Sequence, residues 1–301
     1  MNNIKKIGMT ALAASLVSTS VFAGELTASG SASITVEGYS GSTLQSNTAY
    51  SMGDSVVLSG STELDNGMTV SMSFELDSDN QSTSSSYDDE SVTISSDTLG
   101  TIKFSGHGGS SATSAIDATA AGNIYDNFDG TAGDGSGNGL TSNGVALLAA
   151  AAGDNNIYYT LPAMVDGLAV NASLNTAGAT GNNALGFNMT YTGVEGLSVS
   201  YGQADINTGV STTEGDQTVM NASYAYGPVT VSYTNSDYDT GAANTRALAQ
   251  EVTSYAVSYT VSDAISLTYG TETIESGLAS EVTDAEYEGF KASYTAGGMT
   301  V

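Results

Sequence analysis

Hydrophobic and polar residues alternate along most of this chain. In residues 68–76, Met, Val, Met, Phe and Leu occupy every second position, and residues 156–175 contain two further alternating stretches. Successive side chains of a strand point to opposite faces, so each stretch predicts a strand with one apolar and one polar face. Pro162 and Gly167 lie between the last two stretches and are typical of a turn. Residues 156–175 therefore predict an antiparallel hairpin.

The same alternation predicts fourteen strands and the start of a fifteenth at Met299. Two classes of connection follow one another in strict order. Short turns are predicted near residues 65, 98, 165, 195, 227, 262 and 296, and long polar loops near residues 44, 83, 130, 179, 210, 242 and 277. One end of the predicted sheet therefore carries tight turns, and the other carries long acidic loops.

One connection differs from all others. Residues 107–153 show no alternation and contain a Gly- and Asp-rich middle and an Ala-rich patch at 145–152. A loop of this length without strands of its own is uncommon unless it has a function.

The first residues have the features of an export signal. Lys5 and Lys6 precede an apolar run that ends in Val21, Phe22 and Ala23, with small residues at the positions that a signal peptidase recognises. This predicts a signal peptide over residues 1–23 and a mature chain from 24 to 301. A transmembrane anchor is the alternative, but the run is short for it and rich in Ser and Thr.

Composition narrows the possible partners. The chain has 32 acidic residues against 5 Lys and Arg, and its net charge is −27. We expect no binding to nucleic acid, because its phosphates require Lys and Arg. There is no Cys, so an exported chain of this sequence has no disulfide to stabilise it. Charged residues make up only 12% of the chain, against about 25% in soluble domains.

Three all-β architectures are compatible with strands of this kind. A soluble sandwich would have irregular connections, and a β-solenoid adhesin or surface-layer protein would show a fixed repeat with similar turns on each edge. A transmembrane barrel has alternating strands, short turns on one side and long loops on the other. It also has aromatic residues where strands cross the lipid interface, and seven tyrosines near predicted strand ends fit such a girdle: Tyr191, Tyr201, Tyr226, Tyr233, Tyr259, Tyr269 and Tyr294.

Two stretches carry a resemblance to a known family. Residues 156–162, NIYYTLP, followed by Asp-Gly-Leu at 166–168, are similar to the hairpin after the constriction loop of general porins of Gram-negative bacteria. Residues 98–106, TLGTIKFSG, resemble the strand that leads into that loop. Among these porins the sequence most resembles the alphaproteobacterial ones, and the resemblance extends over essentially all of the mature chain.

The resemblance implies a fold and a function. We expect a sixteen-stranded transmembrane antiparallel β-barrel in the outer membrane, usually a homotrimer. The loop at 107–153 would fold into the lumen, and small hydrophilic solutes and ions would diffuse through without chemistry, cofactor or energy input. The last expected strands are missing, since the sequence stops at Val301 without the family's terminal aromatic residue. The sequence is therefore expected to be truncated at its C-terminus.

The charges of the expected pore depart from the family pattern. Porins commonly set arginines on the wall against acids on the loop, but this chain has a single arginine, Arg246. Carboxylates that line a pore attract cations, so a cation-favouring channel is expected. The candidate pore-lining residues are Asp117, Asp126 and Asp129 on the loop, with Glu75 and Lys103 on the wall. For each acid the alternative is an ordinary solvated carboxylate.

Other chemistry finds little support. His107 is the only histidine and has no nucleophile motif beside it, so an enzyme is not expected. The acidic stretches at 126–130 and 134–139 resemble calcium loops superficially but lack the regular ligand spacing and the terminal Glu. Mobile, solvated loop is the preferred interpretation, and no cofactor is predicted.

Overall fold

The computed structural model describes residues 26–38, 48–77, 87–116, 120, 155–176, 183–206, 215–240, 250–276, 285–296 and 299–300. These residues form fifteen strands: β1 Thr27–Gly38, β2 Thr48–Glu63, β3 Thr69–Asp77, β4 Tyr87–Ser96, β5 Gly100–His107, β6 Asn156–Thr160, β7 Leu168–Thr176, β8 Asn183–Tyr191, β9 Leu197–Ile206, β10 Gly215–Tyr226, β11 Val229–Thr240, β12 Gln250–Ser262, β13 Ile265–Ser276, β14 Ala285–Ala296 and β15 Met299–Thr300. The predicted fourteen strands and the start of a fifteenth are confirmed. No helix within these ranges is both long and apolar enough to cross a membrane.

All strands belong to one antiparallel meander. The order in the sheet is the order in the chain, from β1 to β15. The predicted hairpin pairs β6 with β7, with Asn156 opposite Asn175 and Thr160 opposite Asn171. Each strand pairs with its sequence neighbour, so every connection stays at one end of the sheet or the other.

The two ends of the sheet carry the two predicted classes of connection. The short end has residues 64–68, 97–99, 161–167, 192–196, 227–228, 263–264 and 297–298 between its strands. Length alone does not separate the classes, since the short-end connection 161–167 is longer than 177–182 at the other end. The longer turn is braced by a bridge between Val165 and Leu168. Position in the meander, and not length, therefore assigns each connection to its end.

The two faces of the sheet differ in polarity. One, the apolar face, presents large side chains to the exterior, for example Phe290 at 69% and Met72 at 56% exposure. The other, the polar face, carries mainly Ser, Thr and Asn, for example Ser173, Asn188 and Thr234. Large apolar side chains on an open surface mark contact with lipid or protein and not a core between two layers. A soluble sandwich is therefore excluded.

The seven predicted tyrosines all lie on the apolar face, in two rows. Tyr191, Tyr226, Tyr259 and Tyr294 lie next to short-end connections. The remaining three, Tyr201, Tyr233 and Tyr269, lie where the apolar positions stop. Beyond Tyr201 the same face of β9 continues with Gln203 and Asp205, which face Phe187 and Leu185 of β8. The second row therefore marks the boundary between apolar and polar outward positions on β9, β11 and β13, whereas β8 carries apolar residues beyond it.

Gly100 is predicted to be essential for the turn between β4 and β5. Its φ is +82°, and a Cβ at this position would meet the carbonyl oxygen of Thr160 and lie 3.0 Å from Cδ of Pro162. Gly67 has a φ of +79°, but a Cβ there would meet nothing within 4 Å. We expect Gly67→Ala to lower the free energy of unfolding by about 1 kcal/mol, through its backbone angle alone. Gly100→Ala should lower the free energy of unfolding by more, on the order of 2–3 kcal/mol, because a steric clash is added.

Urea unfolding of the two variants in detergent micelles measures this difference. Equal destabilisation by both substitutions would show that the contact with Thr160 and Pro162 has no energetic consequence.

Candidate functional site

The long loop after β5 turns onto the polar face of the sheet. Its described part is residues 108–116 together with Ala120, here termed the anchored segment. Asn156, the first residue of β6, donates a hydrogen bond from Nδ2 to the carbonyl oxygen of Ser110 at 2.5 Å. The predicted inward fold of the loop is thus observed where the structure describes it.

A compact turn gives the anchored segment its shape. The Ser111 hydroxyl accepts a hydrogen bond from the backbone N–H of Ser114 at 3.1 Å, and the Ser111 carbonyl accepts one from Ala115 N–H at 3.0 Å. A serine that caps its own turn in this way satisfies a backbone donor that has no other local partner. Ala112 and Thr113 are buried against the sheet, while Ser114 and Ala115 are exposed. The side chains that the turn presents away from the wall are therefore small and uncharged.

Ala112 is held at both of its backbone polar groups. Its N–H donates to Oγ of Ser173 on β7 at 2.8 Å. Its carbonyl oxygen accepts a hydrogen bond from Nδ2 of Asn188 on β8 at 2.6 Å. Ala112 is completely buried. Both wall residues lie on the polar face because strand alternation places them there, opposite Gly186 and Asn171 respectively.

Asn188 is the centre of a small amide and hydroxyl network. Its Oδ1 accepts a hydrogen bond from Nδ2 of Asn171 at 2.6 Å, and its Nδ2 also donates to the Tyr158 hydroxyl at 3.1 Å. A backbone carbonyl can only accept, so the bond to Ala112 fixes which side of the amide is nitrogen. With 2% exposure, Asn188 has its polar atoms paired in a site closed to solvent.

Close packing and a second anchor extend the segment across the sheet. A Cβ on Gly202 of β9 would lie 2.8 Å from Cδ1 of Ile116, so glycine allows the segment to approach this strand. Farther on, Ala120 N–H donates to Oγ of Ser254 on β12 at 2.9 Å. The anchored segment therefore contacts the polar face at β6 to β9, through residues 110–116, and at β12, through Ala120.

The two predicted wall residues lie on the polar face, away from these contacts. Glu75 is opposite Val57 of β2, and Lys103 is opposite Tyr158 of β6. Both are half-buried. They occupy β3 and β5, which stand on the side of the sheet from which the anchored segment departs. The structure brings neither of them to the segment's hydrogen bonds.

Sequence reasoning missed two charged residues on the polar face. Glu272 of β13 lies opposite Ser254, next to the second anchor, and has 1% exposure. Lys291 of β14 lies opposite Thr268. Alternation would have located both, since each lies an odd number of positions from an outward aromatic residue of its strand: Lys291 is one after Phe290, and Glu272 is three after Tyr269.

The three loop acids cannot be placed. Asp117, Asp126 and Asp129, together with the acidic stretches at 126–130 and 134–139, lie outside the described residues. Their role in the pore and any calcium binding stay predictions. Within the described ranges, no three or more Asp, Glu or His side chains are grouped in a way that could hold a metal ion.

Comparison with known proteins now decides the family. A family model for Gram-negative porins matches residues 8–301. The chain belongs to this family. The resemblance to Gram-negative porins is thereby confirmed over nearly the whole chain, and the porin is a channel protein of the outer membrane.

Solved structures show the same fold at low sequence identity. A refined porin structure aligns with a TM-score of 0.60 at 17% identity, covering 91% of each chain. An anion-selective porin from Comamonas acidovorans aligns with a TM-score of 0.62 at 16% identity, covering 90% of this porin and 85% of that chain. OmpF of Salmonella typhi, in complex with daunomycin, gives a TM-score of 0.59 at 13% identity, covering 91% and 87%. No curated protein sequence matches this one.

The porin fold assigns the two faces. The apolar face is the outer surface that meets the membrane, and the polar face lines the lumen. The anchored segment therefore lies on the lumen side of the wall.

Enlarging Gly202 is expected to push the anchored segment into the lumen. In Gly202→Val the new side chain would displace Ile116, and single-channel conductance in planar bilayers should fall. Adding Ile116→Ala removes the displaced atoms and should restore much of the conductance, because the two positions are in contact.

Ser198→Val on the same face of β9 is the matched control and should leave conductance unchanged. Heat-modifiable migration on gels verifies that each variant is folded. If Ile116→Ala gave no recovery, the contact with Gly202 would not determine the position of the segment.

Proposed function

We propose that this porin allows passive diffusion of small hydrophilic solutes and ions, with a preference for cations. The observation that supports the proposal is the position of the anchored segment on a polar face of Ser, Thr and Asn, where it would narrow the lumen. Its exposed side chains, Ser110, Ser114 and Ala115, are small and carry no charged group that would bind a particular solute. Diffusion of this kind needs no cofactor and no energy input.

The preference for cations rests on charge. The chain carries 32 acidic residues against 5 Lys and Arg. On the described polar face, Glu63, Glu75, Asp77 and Glu272 stand with Lys103 and Lys291, and the arginine cluster common in porins has no counterpart in a sequence with one arginine. Carboxylates in a narrow aqueous pore raise the local concentration of cations. Anion selectivity is a property of the Comamonas acidovorans porin, and at 16% identity its wall charges do not transfer to this chain.

Reversal potentials in a KCl gradient test the preference. We expect the wild-type channel to favour K⁺ over Cl⁻. Glu75→Gln should reduce this preference and Lys103→Gln should increase it, because each removes one charge of opposite sign from the wall. Asp263→Asn in the short-end turn 263–264, outside the lumen, is the control and should have no effect.

An anion-selective wild-type channel would contradict the proposed preference while leaving the channel function intact. Absence of discrete channels would contradict the function itself and would favour the surface-layer or adhesin alternative, which neither the family match nor the meander order supports.

Export and assembly complete the proposal. We infer that residues 1–23 are removed as a signal peptide and that three copies of the mature chain form the channel. Lys5 and Lys6 before an apolar run support the first inference, and the resemblance to trimeric porins supports the second. Native mass spectrometry of the protein extracted from membranes measures both properties at once. The subunit mass should correspond to a chain that begins at Gly24, and the assembly should be three times that mass. A monomer or an uncleaved subunit would contradict the respective inference.

A further inference from the structure

We propose that Asn188 and Ser173 set the position of the constriction through hydrogen bonds to the backbone of Ala112, which involve no side chain of the loop. Asn188 would thus be a positioning residue for permeation. The inference rests on the proposed channel function and adds to it a specific determinant in the wall.

The hydrogen bonds between wall and segment share one property. Four of them are described, and in each the segment contributes a backbone atom while the wall contributes a side chain: Asn156 to Ser110 O, Ser173 to Ala112 N, Asn188 to Ala112 O and Ser254 to Ala120 N. Backbone atoms are the same for every residue type. The wall therefore fixes the path of the segment without constraining which side chains it presents to the pore.

The groups that make these bonds are neutral. Amides and hydroxyls keep their hydrogen-bonding character across the physiological pH range, and a neutral pair is not weakened by salt as an ion pair is. The described titratable group that faces Asn188 is Tyr158 on β6, whose hydroxyl accepts a hydrogen bond from it. A phenol has an ordinary pKa of about 10, far above the range in which a carboxyl titrates. β7, β9 and the segment face Asn188 with Asn171, Ser173, Gly202 and Ala112, none of which titrates.

Asn188 is the more informative of the two residues to substitute. Aspartate has the same shape as asparagine, but it places an acceptor oxygen where the amide nitrogen donates a hydrogen bond. In Asn188→Asp one carboxylate oxygen can still accept the hydrogen bond from Asn171. The other oxygen would face the carbonyl oxygen of Ala112, and two acceptors at the 2.6 Å separation now seen would repel each other. Protonation would supply an O–H donor for that carbonyl and restore the bond.

The test compares single-channel recordings of wild-type protein, Asn188→Asp and Asn221→Asp over a pH range of about 4 to 8. Asn221 lies on the same polar face and donates to Oγ1 of Thr234 at 2.8 Å, so its substitution introduces the same charge away from the segment. We expect the wild-type protein and Asn221→Asp to show a single open-channel conductance level at every pH in this range.

Asn188→Asp should lose that single level at neutral pH, with more open-channel noise, and should recover it on acidification. The midpoint should lie above the ordinary Asp pKa of about 3.9, because burial and the facing carbonyl both disfavour the charged form. Asn188→Ala should lose the single level at every pH.

The outcomes separate the two proposals. If the wild-type protein gives no channels, the proposed function fails. If it gives channels and Asn188→Asp behaves as Asn221→Asp does, or shows no recovery at low pH, the positioning role of Asn188 is wrong. Heat-modifiable migration that is equal for all variants ensures that the difference lies in the segment and not in barrel folding.

Discussion

Backbone hydrogen bonding in a medium without water is the constraint on which the whole structure depends. Hydrocarbon offers no partner for an N–H or a C=O group, so each strand must pair with its neighbours along its full membrane-spanning length. The unbroken antiparallel meander from β1 to β15 is the result. Once pairing is imposed, side-chain alternation leaves only two environments, lipid on one face and water on the other. The sequence then needs no layered core, and its low content of charged residues and its scattered serines and threonines become understandable.

The strands were predictable from the sequence because this alternation is local. Any strand shows its period within a few residues, and the turns between strands carry their own Gly, Asn or Pro. The contacts of the constriction are different in kind. Ala112 binds Asn188, 76 residues away, and Ala120 binds Ser254, 134 residues away. No period connects such pairs, and Ala112 has no side-chain chemistry to attract attention. Reasoning from charged side chains could therefore find Glu75 and Lys103 but not the anchors.

A weaker signal for the anchors was nonetheless present. Asn171, Ser173 and Asn188 fall at inward positions of their strands, where a pore wall tolerates any polar residue. Asparagine differs from serine and threonine in that it can donate two hydrogen bonds and accept others at once. Such a residue is well suited to a site where wall, neighbouring strand and loop backbone meet, as Asn188 shows. An inward asparagine on the strands that follow a long loop is thus a reasonable place to look for anchoring contacts in other chains of this fold.

Because the anchoring hydrogen bonds are neutral, the residues that position the loop differ from those that carry the charge of the pore. Where charged residues hold a constriction loop, a change in pore charge disturbs the position of the loop as well. Here the described hydrogen bonds between wall and segment involve no charge, and the segment contributes only backbone atoms to them. The hydrogen bonds of Asn188, Ser173 and Ser254 therefore do not depend on the charges of the pore. Carboxylates on the wall could then vary in number without weakening the hydrogen bonds that hold the segment.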